Sequence, residues 1–252
     1  MSALVFGSTV GCGASQKELK KAEDDAKYHY NLAHGYYFNS TSPNNVDAAM
    51  QELLKSLKAK PDFPEAHMLA GFIYLGREQY VKAIRHFKRA VELKPTYYKA
   101  ANNLGATYIA AGRWDDAIEL FTRLVGNIMY VTPGHGHNNL GLAYYSKGNL
   151  RKAREHFSTA INLAPRLCPA HNNLGRLLME QNDMTRAEKY LKRAKRCDVR
   201  YAEPHFHLGR LKGMRGDVKA ARPHFEACVR LAGDSSLADR CQQRLASLPV
   251  TR

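Results

Sequence analysis

One pattern of small and large apolar positions recurs along most of the chain. In its clearest copy, between Asn102 and Phe121, a Leu-Gly pair precedes a Tyr, an Ala and a Phe at fixed offsets. The glycines of the successive copies are Gly71, Gly105, Gly141, Gly175 and Gly209, at steps of 34, 36, 34 and 34 residues. A regular period of this length, with apolar positions spaced as on helix faces, predicts a row of similar helical units.

Each unit is predicted to hold two short helices joined by a tight turn. Glycine inside a helix costs roughly 0.5–1 kcal/mol relative to alanine, so its recurrence indicates a place where the second helix passes too closely for a side chain. The second helix carries a recurring small residue, at Ala83, Ala117, Ala153, Ala187 and Ala221. In the turns, a glycine at 112, 148 or 216 is expected to end one helix, and an Asp or Asn to cap the next.

These features resemble the tetratricopeptide repeat (TPR), in which small and large residues recur with this period. The resemblance implies an all-α TPR solenoid. We expect six repeats within residues 26–235, followed by a capping helix and tail at 236–252. The repeats are predicted at residues 26–63, 64–97, 98–133, 134–167, 168–201 and 202–235, with an insertion from Ser40 to Asn44 in the first.

The start of the chain resembles a bacterial lipoprotein signal. Residues 1–12 carry no charge and end in Cys12, and residues 13–25 turn small and then strongly polar. The resemblance implies a signal segment at 1–12 with Thr9-Val10-Gly11-Cys12 as the lipobox, lipidation of Cys12, and a polar tether at 13–25. Thr9 stands where Leu is usual, and the basic region of a signal peptide is missing. The other interpretation is an ordinary N-terminus.

Repeat one is rich in aromatic residues. The TPR register implies that certain first-helix positions of repeats one and two face a groove. The apolar residues at these positions are Tyr30, Tyr37, Phe38, Met68, Phe72 and Leu75. A large exposed apolar patch generally marks an interaction site, so we expect a partner-binding groove that takes an apolar helix or an extended peptide. The alternative is that several of these side chains pack between helices.

Repeats three to five each carry an Asn-Asn pair before the Leu-Gly pair. The first Asn of each pair is Asn102, Asn138 or Asn172. If these amides face the groove, they form a ladder that can grip a peptide backbone; the alternative is solvated or repeat-bridging amides. Arg176 and Arg210 are also predicted to face the groove, where they can take a carboxylate.

The histidines and cysteines do not indicate catalysis or metal binding. Most of the 11 histidines recur at two fixed repeat positions, which favours a packing role, so no metal site and no cofactor are expected. The cysteine pairs Cys168/Cys197 and Cys228/Cys241 are predicted to lie close together, either as disulfides in an oxidising compartment or as free thiols. No Ser-His-Asp, paired-carboxylate or phosphate-loop arrangement is present, so we expect neither enzymatic activity nor a small-molecule substrate.

The chain is strongly basic, with a net charge of +15. The basic residues are spread over nearly every predicted helix, and the densest run, Arg186 to Arg200, has the pattern of a solvated helix face. Few aromatic residues are interleaved with these runs, which counts against a polyanion site. We therefore expect a solvated basic surface and no nucleic-acid partner, with polyanion binding as the alternative.

The junction between repeats three and four departs from the TPR consensus. Between Leu124 and Pro133 it carries two additional residues and Tyr130, and it is followed by an Asn-Leu-Gly-Leu sequence. Together with the lipoprotein-like start, this junction resembles the TPR-type pilotins of type IV pilus systems, including the social-motility lipoproteins of myxobacteria. The resemblance implies a lipid-anchored protein on the periplasmic face of the outer membrane. It also implies binding to secretin subunits through the apolar groove and promotion of secretin assembly. The alternative is a soluble TPR scaffold that binds peptide segments of another protein.

Overall fold

The computed structural model describes residues 15–38 and 44–249. These residues form thirteen α-helices and no β-strand, as the all-α prediction requires. The helices are α1 (Gln16–Phe38), α2 (Asn44–Ala59), α3 (Pro64–Gly76), α4 (Tyr80–Leu93), α5 (Tyr98–Ala110), α6 (Trp114–Val125), α7 (Pro133–Ser146), α8 (Leu150–Leu163), α9 (Cys168–Glu180), α10 (Met184–Cys197), α11 (Glu203–Met214), α12 (Val218–Ala232) and α13 (Ser236–Ala246). Each predicted repeat contains one pair of helices, and α13 follows the last pair. Cys12, the rest of the predicted signal segment and residues 40–43 of the insertion lie outside the described residues.

The chain divides into two compact units, Met1–Ala100 and Ala101–Arg252, and α5 crosses the boundary. The first unit holds α1 to α4, and its core is built from α1, α2 and α3 around Leu53 and Ile73. The second unit holds α6 to α13. Its main core surrounds Phe157 and Leu177, and a further cluster around Phe225 joins α11, α12 and α13.

The recurring glycines are explained by the large side chain that faces each of them, a Phe in four copies and Leu191 in the fifth. A Cβ atom added to Gly105 would stand 2.3 Å from Cζ of Phe121. The same conflict occurs between each of the other four glycines and its partner on the second helix. These pairs are Gly71 with Phe87, Gly141 with Phe157, Gly175 with Leu191 and Gly209 with Phe225, at 2.6–2.8 Å. The predicted close approach of the two helices is therefore confirmed. At each of these glycines a large side chain of the second helix packs directly on the backbone of the first.

The turns inside the repeats follow the predicted chemistry in most copies. Gly112, Gly148 and Gly216 have positive φ angles of 72°, 84° and 74°, a conformation that L side chains rarely adopt. Repeats two and five use Glu78 and Asn182 at this place instead. The side chains of Asn149, Asp183 and Asp217 then cap the following helices by accepting a hydrogen bond from a backbone N–H three residues later.

The first helix begins earlier than predicted. Residues 16–25, expected to be a polar tether, form the first turns of α1. The backbone N–H of Ser15 donates to Oε2 of Glu18 (2.7 Å), and the backbone N–H of Glu18 donates to Oγ of Ser15 (3.3 Å). This reciprocal pair is a capping box. The segment predicted as a polar tether is therefore helical from residue 16, because a polar segment of strong helix formers with a capped start continues the helix outward.

The irregular junction places one buried ring among exposed apolar side chains. Tyr130 is 3% exposed, and its hydroxyl donates to Oδ1 of Asn102 at 2.8 Å. Gly136 on α7 leaves room for this ring, since a Cβ there would stand 2.7 Å from Cε1 of Tyr130. Ile128 beside it in the chain is 97% exposed. The junction thus places the ring of Tyr130 between α5 and α7.

Candidate functional site

The first unit presents a row of aromatic rings along α1. The ring centres of Tyr30 and His34 are 6.0 Å apart, those of His34 and Phe38 4.5 Å, and those of Tyr37 and Phe38 4.9 Å. Tyr30 also packs on Phe63, with ring centres 5.2 Å apart. Phe38 at the end of the row is 55% exposed. Helical spacing of three to four residues explains why these rings share one side of α1.

The structure separates the predicted groove residues by depth. Phe38 is exposed, while Tyr30, Tyr37, Phe72 and Leu75 are partly exposed. Tyr37 reaches α3, where its hydroxyl would stand 3.9 Å from a Cβ on Gly76. Phe72 packs edge-on against Phe87, with ring centres 5.7 Å apart. We call Tyr30, Tyr37, Phe38, Phe72 and Leu75 the aromatic surface.

Met68 is a correction to the prediction. Its side chain is only 7% exposed, so it cannot offer a contact area to a partner. The repeat register places it one turn before Phe72 on α3, but its side chain is buried. For this residue the alternative of packing between helices is the right one.

The charge beside the aromatic surface comes from Glu65. Burial raises the pKa of Tyr97 to about 12, and the charges of Glu65 and then of Tyr30 add to the effect. Burial and Glu65 likewise raise the pKa of Tyr30. Both phenols therefore stay neutral at physiological pH.

The three amides do not form a free ladder, because each already has a partner in the chain. Asn102 accepts the hydrogen bond from Tyr130. Asn138 is 7% exposed, and its Oδ1 accepts from Nδ2 of Asn173 at 3.0 Å. Asn172 is 1% exposed and donates to Oε2 of Glu203 at 3.1 Å. The alternative of repeat-bridging amides holds for Asn138 and Asn172, which tie α7 to α9 and α9 to α11.

The second unit contains an open cavity of about 640 Å3 beside these bridges. Side chains of α7, α9, α11 and α13 and of the chain just before α11 line it. The lining residues are Asn138, Leu142, Tyr145, Pro169, Asn173, Arg176, Glu180, Tyr201, Glu203, Phe206, His207, Arg210, Ser236, Leu237 and Arg240. Its volume lies within the range of small-ligand pockets.

Three arginines converge on this cavity, and each lies over an aromatic ring. The guanidinium carbon of Arg176 is 4.1 Å from the ring centre of Tyr145. Those of Arg240 and Arg210 are 4.6 Å and 5.8 Å from the ring centre of Phe206. None of the ion pairs formed among the described residues involves these three arginines. The Nε atom of Arg176 is buried and has no hydrogen-bond partner in that part of the chain.

The two carboxylates in the wall are held by neutral donors. Glu180 accepts a hydrogen bond from the hydroxyl of Tyr145, and Glu203 accepts from Tyr201 at 2.6 Å as well as from Asn172. Burial, with this hydrogen bond, raises the pKa of Tyr145 to about 12, and burial raises the pKa of Tyr201. The carboxylates are therefore occupied, while the arginine charges have no acidic partner.

His207 also lines the cavity, near the three arginines. It is 6% exposed, and its Nδ1 has no partner among the described residues. Burial lowers its pKa to about 3, and the charges of Arg176, Arg210 and Arg240 contribute further. The imidazole is thus neutral at physiological pH. The register indicated Arg176 and Arg210, but Arg240 lies on α13, outside the repeats, and no repeat position could have indicated it.

The recurring histidines form pairs between the two helices of a repeat. In repeats two, four and six the two Nδ1 atoms lie within hydrogen-bond distance. The pairs are His67 with His86 (3.0 Å), His137 with His156 (3.1 Å) and His205 with His224 (3.4 Å). Nε2 of His67 donates to the carbonyl of Pro61, so its Nδ1 accepts and His86 donates. These side chains pack and pair, and among the described residues no group of three or more His, Cys, Asp or Glu is arranged to hold a metal ion.

The structure joins both predicted cysteine pairs. The Cα atoms of Cys168 and Cys197 are 5.7 Å apart, and those of Cys228 and Cys241 are 6.1 Å apart, each pair with its sulfurs bonded. The first pair links the two ends of the hairpin formed by α9 and α10, and the second ties α13 to α12. In the part of the chain that the structure describes, no helix is long and apolar enough to cross a membrane.

Comparison with known proteins shows the class to which this fold belongs. Four family profiles described as tetratricopeptide repeat match residues 44–98, 74–127, 134–167 and 169–196, together more than half of the chain. The chain therefore belongs to the tetratricopeptide repeat family.

Solved structures of two pilus-related proteins share the fold. PilF of Pseudomonas aeruginosa superposes with a TM-score of 0.65 at 18% identity, over 88% of this chain and 99% of that one. PilW, described as a widely conserved type IV pilus biogenesis factor, has a TM-score of 0.69 at 19% identity, over 91% of this chain and 100% of that one. At this identity the likeness shows the fold alone.

Two curated proteins match over part of their length. Superkiller protein 3 of Schizosaccharomyces pombe is 26% identical over 148 residues, which cover 56% of this chain and 10% of that protein. The intraflagellar transport protein 88 homolog of Homo sapiens is 24% identical over 180 residues, which cover 60% of this chain and 22% of that protein. The chain thus spans less than a quarter of the length of these relatives.

Proposed function

We propose that this chain is a TPR-type pilotin: an outer-membrane lipoprotein, anchored through Cys12, that binds secretin subunits and promotes their assembly for type IV pili. The observation that carries the proposal is the aromatic surface of the first unit, which includes a Phe that is 55% exposed. The irregular junction with Tyr130 and the lipoprotein-like first twelve residues support it. The likeness in fold to PilF and PilW is consistent with an adaptor in pilus biogenesis.

Binding at this surface would be driven by burial of rings that are only partly covered in the free protein. A Phe side chain offers about 150–250 Å2 of surface, of which about half is exposed at Phe38. At about 25 cal/mol per Å2, covering that area contributes about 2–3 kcal/mol before the cost of ordering the partner.

The substitution Phe38→Asp tests the surface without disturbing the core. Because Phe38 is exposed, the variant is expected to keep its helical content and thermal midpoint, whereas a change at Phe72 would also disturb its packing on Phe87. Secretin multimers in the native cells, measured by immunoblotting of heat-resistant species, are expected to fall at least tenfold. Val81→Asp is the matched control, because Val81 is 82% exposed on α4 and its replacement should leave multimers unchanged. Normal multimer levels with Phe38→Asp would exclude the aromatic surface as the secretin site.

The lipid anchor has a separate test. The intact mass of the protein extracted from membranes of its native cells is expected to correspond to a chain that begins at diacylated Cys12. A soluble chain with an unmodified N-terminus would refute the anchor and leave a TPR scaffold that binds peptide segments of another protein.

A further inference from the structure

The connections between repeats carry exposed aliphatic side chains along one edge of the second unit. Each connection runs from the end of a second helix to the start of the next first helix, so the connections of successive antiparallel pairs lie at the same edge. The exposed large apolar side chains at this edge, which we call the apolar edge, are Ile128 (97% exposed), Met129 (66%), Val131 (83%), Leu163 (53%) and Val199 (77%). A group of this kind on a protein surface generally marks an interaction site.

Contacts inside the second unit place these connections side by side. A Cβ on Gly134, at the start of α7, would stand 2.8 Å from Cβ of Ala164, just after α8. Sγ of Cys197, at the end of α10, lies 3.3 Å from the carbonyl oxygen of Arg166, and Cys197 is also bonded to Cys168 at the start of α9. The connection after α6 therefore adjoins the one after α8, which in turn adjoins the one after α10.

Arginines without acidic partners flank the apolar edge. Arg166, Arg196 and Arg200 are exposed, and none of the ion pairs formed among the described residues includes them. Asp198, which lies beside them in the chain, accepts a hydrogen bond from the backbone N–H of Arg200 at 2.9 Å. Aliphatic side chains next to guanidinium groups match the boundary of an anionic bilayer, where phosphate groups lie directly above the acyl chains.

We propose that the apolar edge is a membrane-binding surface for a bilayer that contains anionic phospholipids. The aliphatic side chains of the connection after α6 enter the boundary between headgroups and acyl chains, and the three arginines bind lipid phosphates through charge-assisted hydrogen bonds. Such a contact fixes which edge of the second unit faces the membrane, which an acyl chain at the N-terminus alone does not. The proposal rests neither on acylation of Cys12 nor on secretin binding.

The chemistry of the edge favours a bilayer over a nucleic acid or a peptide. Its exposed apolar side chains are aliphatic and offer no ring on which a base can stack. An apolar peptide is normally bound in a groove, whereas Ile128 and Val131 are so largely exposed that neighbouring residues do not enclose them. Protruding aliphatic side chains with basic neighbours instead suit a fluid surface that closes around them.

Co-sedimentation of the full-length chain with lipid vesicles tests the edge. The chain carries Cys12→Ser, so that acylation cannot contribute. The vesicles consist of phosphatidylcholine alone or of phosphatidylcholine with about 30 mol% phosphatidylglycerol, an anionic lipid. Binding to the anionic vesicles is expected to be about tenfold tighter than binding to the neutral ones. This difference should shrink at about 1 M salt, because salt screens the attraction between arginines and phosphates.

A first double variant tests the charged part of the edge. Arg166→Gln with Arg200→Gln is expected to weaken binding to the anionic vesicles about 25-fold, since each basic residue near such a surface strengthens binding about fivefold. The control is Arg151→Gln with Lys219→Gln, which makes the same change of charge at the starts of α8 and α12, at the opposite edge. The control should bind as the parent chain does.

A second double variant tests the apolar part. Ile128→Ser with Val131→Ser is expected to weaken binding to the anionic vesicles about tenfold, because two aliphatic side chains no longer leave water. Both side chains are largely exposed, so the thermal midpoint should not change. The control is Val81→Ser with Met214→Ser, at exposed positions outside the apolar edge (82% and 59%), and it should bind as the parent chain does.

A fluorescent reporter shows which edge enters the bilayer. Trp114 is the one tryptophan of the chain, and it begins α6, at the opposite end of that helix from the connection that holds Ile128. Brominated phospholipids should therefore leave the fluorescence of Trp114 unquenched. The fluorescence of Ile128→Trp in a Trp114→Phe background should be quenched by the same lipids.

Several results would overturn the proposal. They are no binding to the anionic vesicles, equal binding to both kinds of vesicle, parent-like binding by either edge variant, and quenching of Trp114 but not of the tryptophan at position 128. If vesicles are not bound, a dimer in sedimentation equilibrium that Ile128→Ser with Val131→Ser dissociates would identify a second copy of the chain as the partner. Failure of the anchor or secretin tests described above would leave the vesicle results unaffected, so the proposals can be refuted separately.

Discussion

Replacing Gly209 with alanine is expected to destabilise the protein, whereas the same change at Gly213, one turn later on α11, is expected to stabilise it. A Cβ at position 209 would stand 2.8 Å from Cε1 and 2.9 Å from Cδ1 and Cζ of Phe225. A Cβ at position 213 would meet nothing within 4 Å. The two sites share one helix and one substitution, so they differ mainly in the space outside the helix.

The expected magnitudes follow from two opposing effects. Ordinary carbon contacts lie at about 3.5–4.0 Å, so the ring or the helix must shift by roughly 0.7 Å at position 209, and overpacking of this kind costs about 1–3 kcal/mol. Alanine recovers up to about 1 kcal/mol of helix propensity at either site. The net result is a loss of about 1 kcal/mol for Gly209→Ala and a gain of about 0.5 kcal/mol for Gly213→Ala near the helix end.

Urea unfolding followed by far-ultraviolet circular dichroism measures both changes. The midpoint of Gly209→Ala is expected below that of the parent protein and the midpoint of Gly213→Ala above it. A double-mutant cycle with Phe225→Leu attributes the loss to the ring: the smaller side chain should cost about 1 kcal/mol less in the Gly209→Ala background than in the parent. If Gly209→Ala is as stable as Gly213→Ala, or if the cycle shows no coupling, contact with the facing ring is not what requires the recurring glycine.

Two further predictions concern ionisable groups. A hydrogen bond from the ammonium of Lys192, with smaller contributions from Lys212 and Arg215, lowers the pKa of Glu188 to about 2. The stabilisation by the Glu188 carboxylate is therefore present above pH 4.5 and is lost as the pH falls towards 2. Glu188→Gln should cost about 1.5–3 kcal/mol at pH 7 in urea unfolding and flatten this acid dependence; the exposed Glu226→Gln is the control, and an equal loss there would contradict the prediction. Burial, with His67 and Arg85, lowers the pKa of His86 to about 4, so the unfolded chain binds more protons between pH 6.5 and 4 and stability falls as the pH falls through that window. His86→Tyr, which copies the natural stacking of His171 on Tyr190 in repeat five, should reduce the drop of the thermal midpoint between pH 7 and 4, and an unchanged drop would show that the pair does not titrate as described.

The repeats were predictable because their residues obey local geometry. A glycine opposite a ring, a positive φ in a turn and an Asn or Asp cap each depend on a few neighbouring positions, and they recur often enough to be recognised. The start of α1 depended on equally local information, since the Ser15–Glu18 capping box stands in the sequence. The start of α1 was not predicted because residues 13–25 resemble the polar tether of a lipoprotein.

The depth of a side chain was less predictable than its direction. The TPR register indicates on which side of a helix Met68 or Asn172 lies, but not how closely the neighbouring elements cover it. Met68 is 7% exposed and Asn172 only 1%. Hydrogen bonds across repeats, such as the one between Asn138 and Asn173, depend on how two neighbouring repeats pack. The period of the sequence does not give the distance between their side chains.

The last helix has a consequence for how the C-terminal end of the chain opens. Among the described helices, α13 belongs to no helix pair and packs on α11 and α12, to which the Cys228–Cys241 disulfide also ties it, and helices with few packed neighbours exchange their amide hydrogens at low free-energy cost. Ser236, Leu237 and Arg240 of α13 form one wall of the cavity, and Arg240 reaches the ring of Phe206 on α11. A molecule held between α9, α11 and α13 would therefore slow exchange in α13 most, and deletion of α13 would remove one wall of the cavity.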